Sequence, residues 1–198
     1  MTTTSEPPAD VAINMVRAHL RDLPPPVFPD GFGMRALQPG LTDAPLWTDV
    51  QRDAVAGEFE IKDDLFAREF GDDLEAIATR CFFITDPANV AVGAISAWMG
   101  GRGDAAQNWG RIHWVATRRA FQGRGLGRAG LAFTLNRLAE FGHERAWLST
   151  STACRPALKL YLDAGFTPDL EPAGAREAWH TVLARLPHPA LAAALGEF

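Results

Sequence analysis

Two spacings of apolar residues, every second position and every third or fourth, predict most of the elements of this 198-residue chain. Phe32, Met34 and Ala36 alternate with Gly33 and Arg35, the period of a half-buried strand, and Pro39-Gly40 ends it. Thr42 or Asp43 is placed to cap the next helix, with Pro45 in its first turn and Trp47, Val50 and Ala54 as its stripe. Phe66, Phe70, Leu74 and Ile77 share one helical face and predict a second helix over residues 63–80. Apolar runs at 81–85 and 90–98 flank Asp86-Pro-Ala-Asn89, a turn sequence, and read as a hairpin. Residues 112–116 read as a strand. A helix to Phe141 follows, with two apolar ridges, Leu126/Gly130/Phe133 and Leu131/Leu135/Leu138, and Gly142 closes it. Residues 146–149 form a further strand. Pro156 then opens a helix with the stripe Ala157, Leu160, Tyr161 and Ala164, ended by Gly165. Residues 166–170 and 178–186 are expected as final strands and 188–198 as a loose helix. Ahead of all these, Val11, Met15, Val16 and Leu20 suggest a short amphipathic helix over 11–22, stopped by Pro24-Pro25-Pro26.

This order of elements predicts one mixed α/β sheet with helices on its faces. Neither a repeat nor a linker interrupts it. The expected domain is 31–187, preceded by an arm (1–30, its first ten residues disordered) and followed by a tail (188–198). The chain is long enough for one full hydrophobic core, and its 47% apolar content is that of a soluble globule. A net charge of −5 argues against broad nucleic-acid binding. Cys81 and Cys154 fit no metal spacing, and no apolar run approaches a membrane span. A cytoplasmic protein with no metal is therefore expected.

The chemistry concentrates after the strand at 112–116. A short basic turn leads to Gln122-Gly-Arg-Gly-Leu-Gly127, which opens the long helix. Glycines at such a junction let backbone N–H groups converge, and the helix adds its unpaired first-turn donors and positive dipole end. Arg124 and Arg128 supply formal charge, so the turn is suited to a phosphate or pyrophosphate. It is no P-loop, because neither Lys62 nor Lys159 follows a glycine. Gly125-x-Gly127-x-x-Gly130 matches the dinucleotide fingerprint literally. It stands too far from its strand, however, and the next strand ends in Ser149-Thr-Ser-Thr152 with no carboxylate for a ribose.

Gln122-x-x-Gly125-x-Gly127 between strand and helix resembles the acetyl-CoA loop of the GNAT-type N-acetyltransferases. Downstream, Ala157-Leu-Lys-Leu-Tyr161-Leu-Asp-Ala-Gly165-Phe166 is similar to that family's second signature. The resemblance covers about 110–168 and departs at Cys154, where the family often has Asn or Arg. It implies the GNAT fold, a mixed, mostly antiparallel sheet of six to seven strands with helices on both faces. It also implies acetyl transfer from acetyl-CoA to a primary amine of a small molecule or peptide. Residues Gln122, Gly123, Arg124, Gly125, Leu126, Gly127 and Arg128 would then hold the pyrophosphate. Val115, Ala116 and Thr117 would meet the pantetheine arm, and Tyr161, the one tyrosine of the chain, would protonate the departing thiolate.

For the general base, His113 is the best side chain by reference pKa and by its position two residues before Val115. The alternatives are that it merely packs, or that water and a carboxylate do the work. Glu58, Glu60, Asp63, Asp64 and Glu69 form an acidic run that would attract an ammonium, or simply a solvated face. Two other functions compete: a non-catalytic acyl-CoA sensor of the same fold, and a nicotinamide-dependent oxidoreductase. Exposed sheet edges would suit a homodimer.

Overall fold

The computed structural model describes residues 10–39, 42–55, 60–100, 102 and 108–197. Gly40, expected to end the first strand, Glu58 of the acidic run and the arm's first nine residues lie outside that set. In chain order the elements are β1 (Ala12–Arg17), β2 (Gly33–Ala36), α1 (Asp43–Val55), α2 (Leu65–Phe70), α3 (Leu74–Arg80), β3 (Cys81–Thr85), β4 (Ala91–Met99) and β5 (Trp109–Thr117). A 3-10 turn (Arg119–Phe121) leads into α4 (Leu126–Glu140). Then come β6 (Arg145–Ser151), α5 (Arg155–Asp163), β7 (Thr167–Pro168), α6 (Ala175–Arg185) and α7 (Pro189–Leu195). The fold is mixed α/β with seven described strands, and every strand pairing whose register is described is antiparallel.

The chain forms two compact units. The first, residues 19–146, holds the antiparallel meander β2-β3-β4-β5. All five residues of β3 are buried, because helices cover both of its faces. Cys81 and Phe83 point into a core with Trp47 and Val50 of α1, Leu65 and Phe70 of α2 and Ile77 of α3. Ile84, of opposite parity, packs with Leu126 of α4, and Phe82 meets Phe133 of α4 edge-on at 5.0 Å. The β3–β4 turn is held by Asp86, whose carboxylate accepts from the N–H groups of Ala88 and Val90, both at 2.9 Å. Asn89 takes the left-handed conformation there, φ 60°.

Three expectations for this unit need correction. The helix expected over 63–80 is two helices, because Gly71 (φ 66°) ends α2 and the Asp73 side chain caps α3 by accepting from Ala76 N–H at 2.9 Å. Leu74, expected on the buried stripe, is consequently 59% exposed. Asp43 does not cap α1. Its carboxylate takes the Arg35 guanidinium at 2.8 Å and the Gln38 N–H at 2.7 Å, and that ion pair holds it below the usual carboxylate range.

In the second unit, up to Ala18 and from Trp147 on, residues 12–17 form a strand where a helix was expected. Ile13 and Met15 are the buried positions, a period of two, and β1 pairs antiparallel with β7 through Met15 and Pro168. Residues 178–186, expected as a strand, lie in helix α6. Ala175, Trp179 and Val182 are its buried face, spaced four and three apart. The strand expected over 166–170 shrinks to β7, and the expected C-terminal helix forms as α7, anchored by Leu191 and Leu195. The buried face of α5 is Leu158, Tyr161 and Leu162, so Ala157, Leu160 and Ala164 flank it rather than define it.

The meander makes one stability prediction. A Cβ at Gly93 of β4 would stand 2.8 Å from the Ala116 carbonyl oxygen of β5, a backbone atom that cannot step aside. Gly33 of β2 has open space and an ordinary backbone angle. Gly93→Ala should lose about 1–3 kcal/mol by overpacking, while Gly33→Ala should stay within about 0.5 kcal/mol of wild type. Urea unfolding of the two variants checks this, and equal midpoints would contradict it.

Candidate active site

The register of β4 and β5 slips in the middle of the ladder. Ala94 faces Ala116 and Ser96 faces His113, so Trp114 and Val115 together oppose the single residue Ile95. This is a β-bulge, and Trp114 carries it in the left-handed conformation at φ 50°. A bulky side chain at such an angle is a true outlier, costing about 1–2 kcal/mol. Three contacts hold it. Its indole Nε1–H donates to Glu69 Oε2 at 3.0 Å, its ring meets Trp47 edge-on at 5.4 Å, and its carbonyl accepts from Gln51 Nε2 at 3.5 Å. The bulge takes Val115 out of register, whereas Ala116 and Thr117 stay paired with Ala94 and Gly93.

The chain then turns through residues 118–125 to α4. Arg118 donates from Nε to the Ala91 carbonyl at 3.0 Å, and Asp53 accepts from the Arg119 N–H at 2.8 Å. Gln122 folds back to donate from Nε2 to the Thr117 carbonyl at 3.0 Å. Arg124 donates to the Ala120 carbonyl at 3.1 Å and lies 5.0 Å above the Phe121 ring. Gly123 (φ 74°) and Gly125 (φ 82°) are both left-handed, and a Cβ at either would point into open space. Gly125 closes the first α-helical bond, its carbonyl accepting from Ala129 N–H at 3.0 Å. The N–H groups of Leu126, Gly127 and Arg128 lie in the first turn of α4, where the helix itself supplies no i−4 partner. The seven residues singled out in sequence are thus one continuous loop and helix start. Their backbone donors and dipole suit a pyrophosphate.

His113 is 5% exposed and sits edge-on to Phe70 at 5.5 Å and Trp114 at 6.1 Å. Burial, with the Arg111 guanidinium second, pushes it down to about 3. Its Nε2 lies 3.2 Å from Glu69 Oε2, but without the alignment of a hydrogen bond among the described residues. The nearby carboxylate favours the imidazolium, yet desolvation of a side chain this buried outweighs it. These surroundings fit a neutral, packed imidazole better than the general base expected from the sequence, since so acidic a conjugate acid would return its proton.

The acidic run divides. Asp63 pairs with Arg52 at 2.8 Å and Asp64 with Arg68 at 3.8 Å, both at the surface, and Glu60 is exposed. Among the described residues of the run only Glu69 turns inward, at the C-terminal end of α2, and sequence reasoning did not single it out. Its position just before the α2 break was hidden by the reading of one long helix.

Tyr161 belongs to the second unit. It is 6% exposed, 6.0 Å from the Phe166 ring, and burial, with Cys154 second, pushes its hydroxyl up. The hydroxyl therefore keeps its proton at neutral pH. Thr152 is occupied structurally, its Oγ1 accepting from Val11 N–H at 3.0 Å. Cys81 is buried and raised to about 12, an inert core thiol.

The model of the Acetyltransferase (GNAT) family matches residues 47–166, more than half of the chain, and the chain belongs to that family. Solved structures agree in fold. A GCN5-related N-acetyltransferase from Sphaerobacter thermophilus is 23% identical with a TM-score of 0.63, over 81% of this chain and 48% of that one. A GNAT acetyltransferase from Colwellia psychrerythraea is 16% identical with a TM-score of 0.59, over 81% and 54%. The ribosomal-protein-S18-alanine N-acetyltransferase from Escherichia coli is 20% identical with a TM-score of 0.53, over 68% and 76%. The matched region thus spans about half the length of the first two. No curated protein sequence matches the chain. Among the described residues, no helix is long and apolar enough to cross a membrane.

Two predictions follow from these surroundings. Between pH 6.5 and about 3 the unfolded chain binds a proton at His113 that the folded chain refuses. Stability from this group is therefore complete above pH 6.5 and falls as the solution is acidified, by about 1.4 kcal/mol per pH unit. His113→Gln should flatten the dependence of unfolding free energy on pH between 4 and 6 by that amount. An unchanged slope would show that the proton is taken up elsewhere. Gly125→Val should cost about 1–2 kcal/mol from its backbone angle, since a Cβ there meets no protein atom within 4 Å. A folded Gly125→Val variant should also lose CoA binding, measured by calorimetry.

Proposed function

We propose that the chain is an N-acetyltransferase that moves the acetyl group of acetyl-CoA to a primary amine of a small molecule or peptide by direct attack. The observation that carries this is the loop at 122–128, with two left-handed glycines exposed at the start of α4, reached by a short turn from a strand whose bulge leaves Val115 out of register. In this reading the loop's backbone donors and Arg124 and Arg128 hold the pyrophosphate. The strand end at Val115, Ala116 and Thr117 offers backbone to the pantetheine arm, and an N–H there stabilises the oxyanion. Tyr161 holds the proton that the departing thiolate takes. Water carries off the amine's proton, a task that His113, at about 3, is poorly suited to share. A cytoplasmic location, a second copy of the chain as partner and the absence of a metal belong to the same proposal.

Acetyl-CoA should raise the melting temperature, by about 2.7 kcal/mol of added stability at a hundred times its Kd, and NAD should not. Tyr161→Phe should then lower kcat about 100-fold with little change in the acetyl-CoA KM, the mark of an interaction made mainly in the transition state. Thiol release with an amine that makes chemistry rate-limiting is the assay. Stabilisation by NAD alone would end the transferase reading. Stabilisation by acetyl-CoA with no thiol release for any amine would favour a sensor.

A further inference from the structure

We infer that Glu69 is a positioning residue: by accepting the Trp114 indole N–H it holds the bulge of β5 and so keeps the Val115 backbone out of the β4–β5 ladder. Trp114 stands at φ 50°, an angle that a tryptophan does not hold unaided, and Val115 is the next residue along the strand. The bond from Trp114 Nε1 to Glu69 Oε2 is 3.0 Å long and ties the side chain of the strained residue to α2, an element 45 residues earlier in the chain. Glu69 is placed for this at the C-terminal end of α2. Its side chain is 30% exposed, it stands beside the buried His113, and it lies within electrostatic range of Arg111. A carboxylate has about four acceptor positions, so the neighbouring charges leave room for the indole bond. From the other side, Gln51 of α1, 1% exposed, reaches the Trp114 carbonyl at 3.5 Å. One residue is thus held at its side chain by α2 and at its backbone by α1. The effect on turnover rests on the proposed role of Val115 toward the acyl group; the effect on the bulge does not.

The full chain tests both parts. In Glu69→Gln the amide oxygen still accepts the indole N–H, while Glu69→Leu removes the acceptor and Trp114→Phe removes the donor. Without any ligand, the Val115 backbone amide resonance and its hydrogen exchange should stay near wild type in Glu69→Gln and move in the other two. The double variant Glu69→Leu/Trp114→Phe should be no worse than either single one, since all three break the same bond. With acetyl-CoA and an amine, kcat should follow the resonances. It should be retained in Glu69→Gln and reduced about 10- to 100-fold in Glu69→Leu and Trp114→Phe, with the acetyl-CoA KM little changed. An unmoved Val115 amide in Glu69→Leu and Trp114→Phe overturns the inference. So does a loss of kcat in Glu69→Gln as large as in Glu69→Leu with the resonance in place, which would assign Glu69 a role through its charge. If the amide moves as expected but acetyl-CoA does not stabilise the wild-type chain, the positioning role is upheld and the transferase reading alone fails.

Discussion

β5 pairs with β4 along most of its length yet carries backbone that is out of register with it, and the bulge at Trp114 reconciles the two. On one side of it the ladder runs through Ala116 and Thr117; on the other it resumes at His113. The left-handed angle costs about 1–2 kcal/mol. A hydrogen bond to a carboxylate returns about 1.5–3 kcal/mol and an aromatic edge contact about 0.5–1.5. The contacts to Glu69 and Trp47 are therefore of the size needed to keep the conformation. Neither comes from the strand itself. Both come from helices on one face of the meander, so the shape of the strand depends on how α1 and α2 are seated.

That seating depends in turn on where the helices stop. Gly71 ends α2 one residue after Phe70, which turns Phe70 into the core against Trp47, Trp98 and His113. The residue before it, Glu69, then faces Trp114. A continuous helix over 63–80 would carry Leu74 on the same buried stripe as Phe70, yet Leu74 is exposed and Ile77 starts the burial afresh on α3. The break is thus what lets one short helix serve both the core and the bulge. It also accounts for a histidine that is neutral beside a carboxylate, because His113 is buried against the Phe70 and Trp114 rings, away from the water its charged form would need.

What was legible in the sequence was local. The turn at Asp86-Pro-Ala-Asn89, the glycine loop and the closure of α4 by Gly142 are written in residues a few positions apart, and the structure holds them where expected. The glycine loop in particular is a matter of backbone angle, which glycine announces. What was not legible depends on partners far along the chain. Residues 12–17 are a strand because β7, about 150 residues later, pairs with them, although Val11, Met15, Val16 and Leu20 also fit a helical stripe. Residues 178–186 are apolar enough for a strand, but Trp179 and Val182 share a face with Ala175 only at helical spacing. The link between Glu69 and Trp114 has no signal in sequence at all, since a carboxylate in a run of carboxylates looks like solvent-facing charge.

The chain uses left-handed backbone in two ways within a dozen residues, and the contrast is informative. At Gly123 and Gly125 no Cβ is present, nothing is strained, and the space a side chain would occupy is open. At residue 114 a glycine would take the same angle as freely. The chain instead carries tryptophan, the largest side chain available, and surrounds it with an acceptor, a ring and an amide donor. A glycine there would allow the bulge without requiring it, because it would adopt the extended ladder conformation equally well. Tryptophan, anchored at both ends, selects the bulged state over the regular one. Permissive residues thus stand where a ligand has room to approach, and a clamped bulky residue stands where the strand must hold one shape in advance of any ligand.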